Sequence, residues 1–535
     1  MASVTTTTDV SHPRSSPITR GEAAALLALT ALALLLRVTS LSRSLFTDEA
    51  YSFALAQRSF GRMIVLFGYE ANGTPYSIVL WPVTRIFGSS AAVLRLPAVL
   101  AGTASVPALY WAARGFVREH AVALLAAALL AINPMAVWYS QEARSYAFVV
   151  LAACLSFGAL VRAVEAEGED GHGRRAWIGY VAAMALLAYS DLLAAPIAIP
   201  AQALIAWRAR RRGLRRWLWS LLALFVCCLP LLVAAGISRS RRNPLYWLPK
   251  LDRELVELAL QEFTGGFSGV SAVRWVTLAA GLVLVGAALA LLLRGAAALE
   301  RSTFAIAACW GLVPVGLLLA VSAVEPVFWP RYAIVALPGL CLLGALAAGK
   351  LWQRGRGAVL AVGCLAIIAA MGLFADARQV KALQENWPPI AAWLRAEHAP
   401  GQPILLDNAL VLPSLGYYDP AFRARNGELI VQEWRELPLP AGFVGFKDRT
   451  GYGSVPNGPP SAAVARGMAR AGGGSFWMLF SEVDPSLQGE PLESPAVLWA
   501  RRNCHVQERE STGIKALHVT GCAGFQSATT TKRLG

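Results

Sequence analysis

Asp48 and Glu49 stand side by side in Leu45-Phe46-Thr47-Asp48-Glu49-Ala50-Tyr51, just after the first apolar run of the chain. Adjacent carboxylates at a membrane surface are costly unless they face water, pair with cations or are used. The use open to them is proton abstraction by a positioned base; the plain alternative is a solvated interfacial pair. Glu70 is a third acid in the same stretch, ahead of the turn Asn72-Gly73-Thr74-Pro75. Clustered carboxylate oxygens suit a hard divalent cation, so Asp48, Glu49 and Glu70 also form a candidate metal set, although nothing in the sequence requires a metal.

Cations and hydrogen-bonding groups gather at three further places. Tyr139-Ser140-Gln141-Glu142-Ala143-Arg144-Ser145-Tyr146 packs Gln141, Glu142 and Arg144 between two apolar runs, with Tyr139 and Tyr146 on either side. Pro330-Arg331-Tyr332 begins another run, and Ser190-Asp191 separates two more. A guanidinium at the edge of lipid needs an anion, and a phosphate matches its planar fork; snorkelling to the headgroups is the alternative for Arg144 and Arg331. The stretch 237–273 carries Arg239, Arg241, Arg242, Lys250 and Arg253, a basic loop that suits either an anionic ligand or lipid headgroups.

The elements that must position these groups are membrane helices. Of 535 residues 56% are hydrophobic and 15% charged, a balance that makes lipid the solvent for much of the chain. The net charge of +15 does not point to nucleic acid, because the basic residues cluster in short gaps between apolar runs, as in cytoplasmic loops. Spans of about 20 apolar residues are expected at 22–41, 93–114, 121–138, 144–163, 175–189, 191–207, 217–236, 274–294, 302–321, 331–349 and 357–375. That is about 11 spans, within bounds of 10 to 13. The apolar segment 75–88 contains Pro82 and Arg85 and is expected to lie along the surface, since only then do the Arg114/Arg118 turn and the cluster Arg208 to Arg216 share the cytoplasmic side.

On this reading residues 1–21 are a disordered cytoplasmic tail, 22–375 a membrane domain with a retained first anchor, and 376–535 an extracytoplasmic α/β domain. The outer loops are 42–92 and 237–273, with tight outer turns at 139–143, 190 and 322–330. None of these loops holds a histidine, so a general base there has to be a carboxylate. Cys504 and Cys522, the only cysteines of the tail, pair if it faces an oxidising compartment; two free thiols are the other outcome. No P-loop, dinucleotide fingerprint or nucleophile elbow is present.

The order Asp48-Glu49-Ala50, Gly73-Thr74-Pro75-Tyr76, Leu94-Arg95-Leu96-Pro97, Trp138 to Tyr146 and Arg331-Tyr332 resembles bacterial glycosyltransferases of family 39. That family is related to protein O-mannosyltransferases and to the lipid A aminoarabinose transferase, within the GT-C superfamily. In the tail, Asn386-Trp387-Pro388, Ile404 to Asp407 and Ser475 to Phe480 are similar to its extracytoplasmic domain. The resemblance implies a GT-C-like polytopic helical fold in a bacterial inner membrane, with the N-terminus cytoplasmic. It further implies transfer of a sugar, with inversion, from a polyprenyl-phosphate donor to a hydroxyl of a protein, glycan or lipid acceptor. Asp48 would be the base with Glu49 its acidic neighbour, and Arg144 and Arg331 would lie at the donor phosphate, with Tyr332, Arg241 and Arg242 near them. Glu70, Tyr139, Gln141, Glu142, Tyr146 and Asp191 are then expected to line the substrate pocket. Two departures bear on donor and acceptor choice: Asn72-Gly73-Thr74-Pro75 replaces a His- or Lys-led diproline turn, and Ser190-Asp191 replaces a Thr-His pair. A lipid transporter or flippase is the competing class, although no internal repeat supports it.

Overall fold

The computed structural model describes residues 17–66, 72–115, 117–166, 172–208, 211–241, 248–294, 298–380, 385–400, 402–406, 411–422, 443–444, 462–481 and 495–525. Helix α1 (Arg20–Val38) opens with a capping box in which Thr19 accepts from the Glu22 amide and Glu22 accepts from the Thr19 amide at 2.8 Å. Three shorter helices follow, α2 (Thr47–Ala56), α3 (Phe60–Leu66) and α4 (Thr74–Phe87). Gly73 caps α4 at φ +80°, a left-handed conformation that glycine adopts without steric cost.

The helical array continues with α5 (Ala91–Ala113), α6 (His120–Ala131), α7 (Pro134–Ser140), α8 (Tyr146–Glu165), α9 (His172–Ser190), α10 (Ala194–Arg208), α11 (Arg211–Cys227) and α12 (Leu229–Arg241). Then come α13 (Arg253–Gly265), α14 (Ser271–Leu293), α15 (Ala298–Ser322), a 3-10 helix (Pro330–Ala336), α16 (Leu337–Trp352) and α17 (Arg356–Gln379). Among the described residues seven helices are long and apolar enough to cross a membrane. There are nine if the bent pairs α6–α7 and α11–α12, at 59° and 53°, each count as one span. The remaining two of the eleven expected spans correspond to α9, whose first turn carries Arg174 and Arg175, and to α10, whose apolar part is only the 14 residues 194–207.

Close approach of backbones holds the array together. A Cβ on Gly339 of α16 would lie 2.5 Å from the Gly311 amide nitrogen of α15, the small-residue contact by which helices pack where lipid offers no hydrophobic drive. On α5, a Cβ on Gly102 would overlap the Ser140 hydroxyl and press on Arg37 Nε at 3.2 Å. Arg37 is buried in α1 and spends its donors on Ser140 Oγ (3.1 Å) and on the carbonyls of Ala33 and Ala131 (both 3.0 Å). We expect Gly102→Val to cost about 1–3 kcal/mol through overpacking, read as a lower melting temperature in detergent; an unchanged melt would show that α1 and α7 move aside freely.

The C-terminal part contains a five-stranded sheet of order β2-β1-β3-β5-β4. Its strands are β1 (Ile404–Leu406), β2 (Phe443–Val444), β3 (Phe476–Ser481), β4 (His505–Ser511) and β5 (Ile514–Thr520). Strand β1 pairs in parallel with β2 and β3, whereas β3–β5 and β5–β4 are antiparallel. The period of two sends Ile404, Leu406, Trp477 and Leu479 into one apolar layer with α18 (Trp387–Glu397) and α19 (Val411–Tyr418). Leu405, Phe476, Met478 and Leu517 enter the other, with α20 (Ala462–Ala471) and α21 (Pro495–Asn503). Cys504 and Cys522 are disulfide-bonded beside this second layer.

Candidate active site

Asp48 and Glu49 both lie in the first turn of α2, where carboxylates oppose the positive end of the helix dipole. One residue is 100° of helix, and that rotation gives them different surroundings. Glu49 is 1% exposed and bound by the equally buried Arg95 of α5 through two parallel contacts, Nε–Oε1 2.7 Å and Nη2–Oε2 2.6 Å. It also accepts from the amides of Phe46 (3.0 Å) and Ala143 (2.8 Å). Burial acts to raise the Glu49 carboxyl, but the charge and hydrogen bonds of Arg95, the charge of Arg43 and the Ala143 amide together outweigh it and hold the group below the usual carboxylate range. Arg95 gives its other donors to the carbonyls of Leu41 (2.7 Å), Arg43 (2.9 Å) and Ser44 (3.1 Å). The expected catalytic role of Glu49 therefore has to be revised: its oxygens are committed to the arginine and two amides, so it shapes the loop.

Asp48 points elsewhere. It is partly exposed, and its Oδ2 lies 3.7 Å from Nη2 of Arg331, at the start of the 3-10 helix. The Arg331 guanidinium sits 5.6 Å above the ring of Tyr146 and 6.0 Å from that of Tyr332. Asp191 is buried and lies within electrostatic reach of both Arg331 and Arg144; its Oδ1 accepts from the Leu193 amide at 2.8 Å, turning the chain into α10. The Leu192 amide donates to Asn72 Oδ1 at 2.9 Å, tying the turn before α4 to the same place. Arg144, Asn72, Gly73, Tyr51 and Tyr76 line a small cleft beside α2. Asp48, Arg144, Tyr146, Asp191, Arg331 and Tyr332 thus converge from four parts of the chain.

The remaining expected pocket residues are arranged behind this group. Tyr139 donates to Glu262 Oε2 of α13 at 2.8 Å and meets the Tyr146 ring at 4.9 Å. Glu142 accepts from Trp138 Nε1 at 2.7 Å, and the Arg43 guanidinium stacks 3.9 Å above Trp138. Burial, reinforced by the charge of Glu49, pushes the Glu142 carboxyl up to about 7; burial, partly offset by the Tyr139 hydrogen bond, does the same for Glu262. Gln141 is buried at the end of α1: its amide nitrogen donates to the Leu36 carbonyl (2.9 Å) and its oxygen accepts from Ser40 Oγ (2.9 Å). Glu70, Arg242 and the side chain of Arg241 lie outside the described residues. With Glu49 turned onto Arg95, the three-acid metal set loses a member, and among the described residues no three His, Cys, Asp or Glu side chains gather as a metal site.

Sequence reasoning passes over three residues of this region. Arg95 enters it only as part of a motif, Glu262 lies in a loop noticed for its basic residues, and Glu385 is a lone acid before Asn386-Trp387-Pro388. Glu385 is 1% exposed and receives the Thr47 hydroxyl, one residue from Asp48.

Residues 75–233 match the family of dolichyl-phosphate-mannose-protein mannosyltransferases. No curated protein matches the chain closely enough in sequence to count as a relative. In fold, the chain is similar to the crystal structure of ArnT from Cupriavidus metallidurans bound to undecaprenyl phosphate, with a TM-score of 0.58 at 13% identity over 95% of this chain and 99% of that one. The apo state of the same protein gives 0.56 at 14% identity, covering 93% and 98%. The archaeal oligosaccharyltransferase AglB from Archaeoglobus fulgidus, in complex with an inhibitory peptide and a dolichol-phosphate, gives 0.55 at 11% identity, covering 96% and 75%. The chain thus shares its fold with ArnT and AglB over nearly its whole length, and its sequence likeness to the mannosyltransferase family is confined to 75–233.

Proposed function

We propose that the protein is an inverting glycosyltransferase that moves a sugar from a polyprenyl-phosphate donor to an acceptor hydroxyl, with Asp48 as general base. The observation that carries this reading is the approach of Asp48 to Arg331, 3.7 Å, with Arg144 close by and Glu49 withdrawn onto Arg95. Such a transfer needs a carboxylate for the acceptor proton and fixed cations for the leaving phosphate. The acceptor O–H proton goes to an Asp48 oxygen while the acceptor oxygen forms a bond to the anomeric carbon from the face opposite the phosphate. The bond from that carbon to the phosphate oxygen breaks, and its electron pair leaves on the lipid phosphate, held by Arg331 and Arg144 with Arg241 and Arg242 as further candidates. Tyr146, Tyr332 and Asp191 line the pocket, and Glu49 acts by positioning. No step runs through a metal.

The polyprenyl-phosphate donor is supported by the lipid phosphates bound to the like-folded ArnT and AglB. The acceptor is a hydroxyl of a protein, glycan or lipid; the match to protein mannosyltransferases favours protein. The reading includes eleven spans, α9 and α10 among them, a bacterial plasma-membrane location and a cytoplasmic N-terminus. The sheet-containing α/β domain and the site then share the outer side.

Purified protein supplied with labelled undecaprenyl-phosphate sugars and candidate acceptors is expected to release undecaprenyl phosphate and label one acceptor. Movement of intact donor across vesicles without release of lipid phosphate would instead identify a flippase.

A further inference from the structure

The C-terminal domain reaches the first loop at two points. Tyr418, at the end of α19, accepts from the Leu45 amide at 2.6 Å and lies 3.0 Å from Ser44 Oγ, while the Tyr417 ring meets Phe53 of α2 edge-on at 5.1 Å. The second contact is deeper. The Thr47 hydroxyl lies 2.8 and 2.7 Å from the two carboxyl oxygens of Glu385, and the Trp387 indole donates to Oε2 at 2.6 Å. A hydroxyl has one hydrogen, so an ionised carboxylate has to share it between both oxygens in a three-centre bond. A neutral carboxyl resolves this: its own O–H donates to Thr47 while its other oxygen accepts from Thr47.

We propose that Glu385 is a positioning residue for the transfer, a carboxyl of the C-terminal domain that grips Thr47 and so fixes the first turn of α2 from which Asp48 works. The inference rests on Asp48 being the base. It gives the C-terminal domain a part in the reaction besides any recognition of the acceptor.

Burial, with the nearby Asp48 charge adding to it and the bonds from Thr47 and Trp387 offsetting part, pushes the Glu385 carboxyl up to about 8. Below that pH it is protonated and holds Thr47; above it the O–H is lost and a second negative charge appears beside Asp48. The other charged and titratable groups packed around this turn are Arg331, paired with Asp48, the closed Glu49–Arg95 pair on α2 and α5, and Tyr418 on α19.

The test uses the full-length protein in detergent, first by amide hydrogen exchange over residues 47–56, which needs no knowledge of the sugar. At pH 7 Glu385→Ala and Thr47→Val are expected to lower protection there about tenfold, the scale of one lost buried hydrogen bond, and Glu385→Gln to retain it. After correction for intrinsic rates, wild type should lose protection between pH 7 and 9, and Glu385→Gln should not. With whichever labelled undecaprenyl-phosphate sugar is turned over, Glu385→Ala should lower kcat about tenfold at unchanged donor KM, and Glu385→Gln should abolish the fall in kcat above pH 8. Unaltered α2 protection in both Glu385→Ala and Thr47→Val, or an alkaline fall that persists in Glu385→Gln, would overturn the inference. Either result leaves the Asp48 assignment standing, because that assignment fails only if Asp48→Asn still transfers sugar.

Discussion

Asp48→Asn is expected to lower sugar transfer at least ~100-fold, the scale of a positioned acid–base group, with little change in melting temperature or donor affinity. The substitution keeps the shape of the side chain and removes its proton affinity. Asp48 is partly exposed and its one described ion pair is the 3.7 Å approach to Arg331, so little folding energy depends on it. The same substitution at Glu49 should behave differently, lowering stability first and activity as a consequence. Measuring transfer and melting on both variants separates base from scaffold. An Asp48→Asn enzyme with near wild-type turnover would end the assignment.

Arg95→Ala should be the most damaging substitution for the fold. It leaves Glu49 buried with its two amide donors and only the unbonded charge of Arg43 for compensation, and it strands the carbonyls of Leu41, Arg43 and Ser44. Breaking one side of a buried ion pair costs about 3–5 kcal/mol, a large share of the roughly 5–15 kcal/mol by which a native domain is stable. Lysine should rescue only in part, because three donors on a point charge cannot reproduce a fork with five. The double change Glu49→Gln/Arg95→Met removes both charges and should recover part of the loss; the difference from the sum of single effects measures the coupling. Melting of Arg95→Ala within a degree of wild type would show that the pair does not organise the loop.

The long helices α1, α5, α8, α14, α15 and α17 are legible in the sequence because each is a sustained apolar run. The spans at α9 and α10 are less so: arginines at the start of one and the shortness of the other bring both near the threshold that length and hydropathy define. Strand β3 is readable as a short continuous apolar run, and the second partner of β1 is not, since it falls in a two-residue strand.

At the site, sequence order brings out Asp48 because an acid beside lipid is conspicuous, but it cannot separate Asp48 from Glu49. Their difference is rotational, and it becomes visible only when Arg95, on α5 beyond the far end of the loop, supplies the partner for one of them. Glu262 and Glu385 escape notice for a related reason. Each is a single acid in an ordinary polar stretch, and its significance comes entirely from the residue that folding sets against it, Tyr139 in one case and Thr47 in the other. Residue type is legible locally; partnership across distant parts of the chain is not.

The elbow between α6 and α7 bends by 59° and exposes backbone that a straight helix would satisfy. Arg37 attends to the Ala131 carbonyl on one side of it, Asn133 accepts from the Ala136 amide on the other, and a third side chain comes from the end of α17. Gln379 donates to the Pro134 carbonyl at 3.1 Å and to Asp376 Oδ1 at 2.9 Å, and its own oxygen accepts from the Phe267 amide at 3.3 Å. Trp138 stacks on Phe267 at 4.3 Å, a few residues beyond the elbow. Gln379 thus fastens the elbow, and the Phe267 against which Trp138 packs, to the last helix of the bundle, the same helix that leads toward the sheet, so the aromatic floor behind the arginines and the C-terminal part are braced on one element.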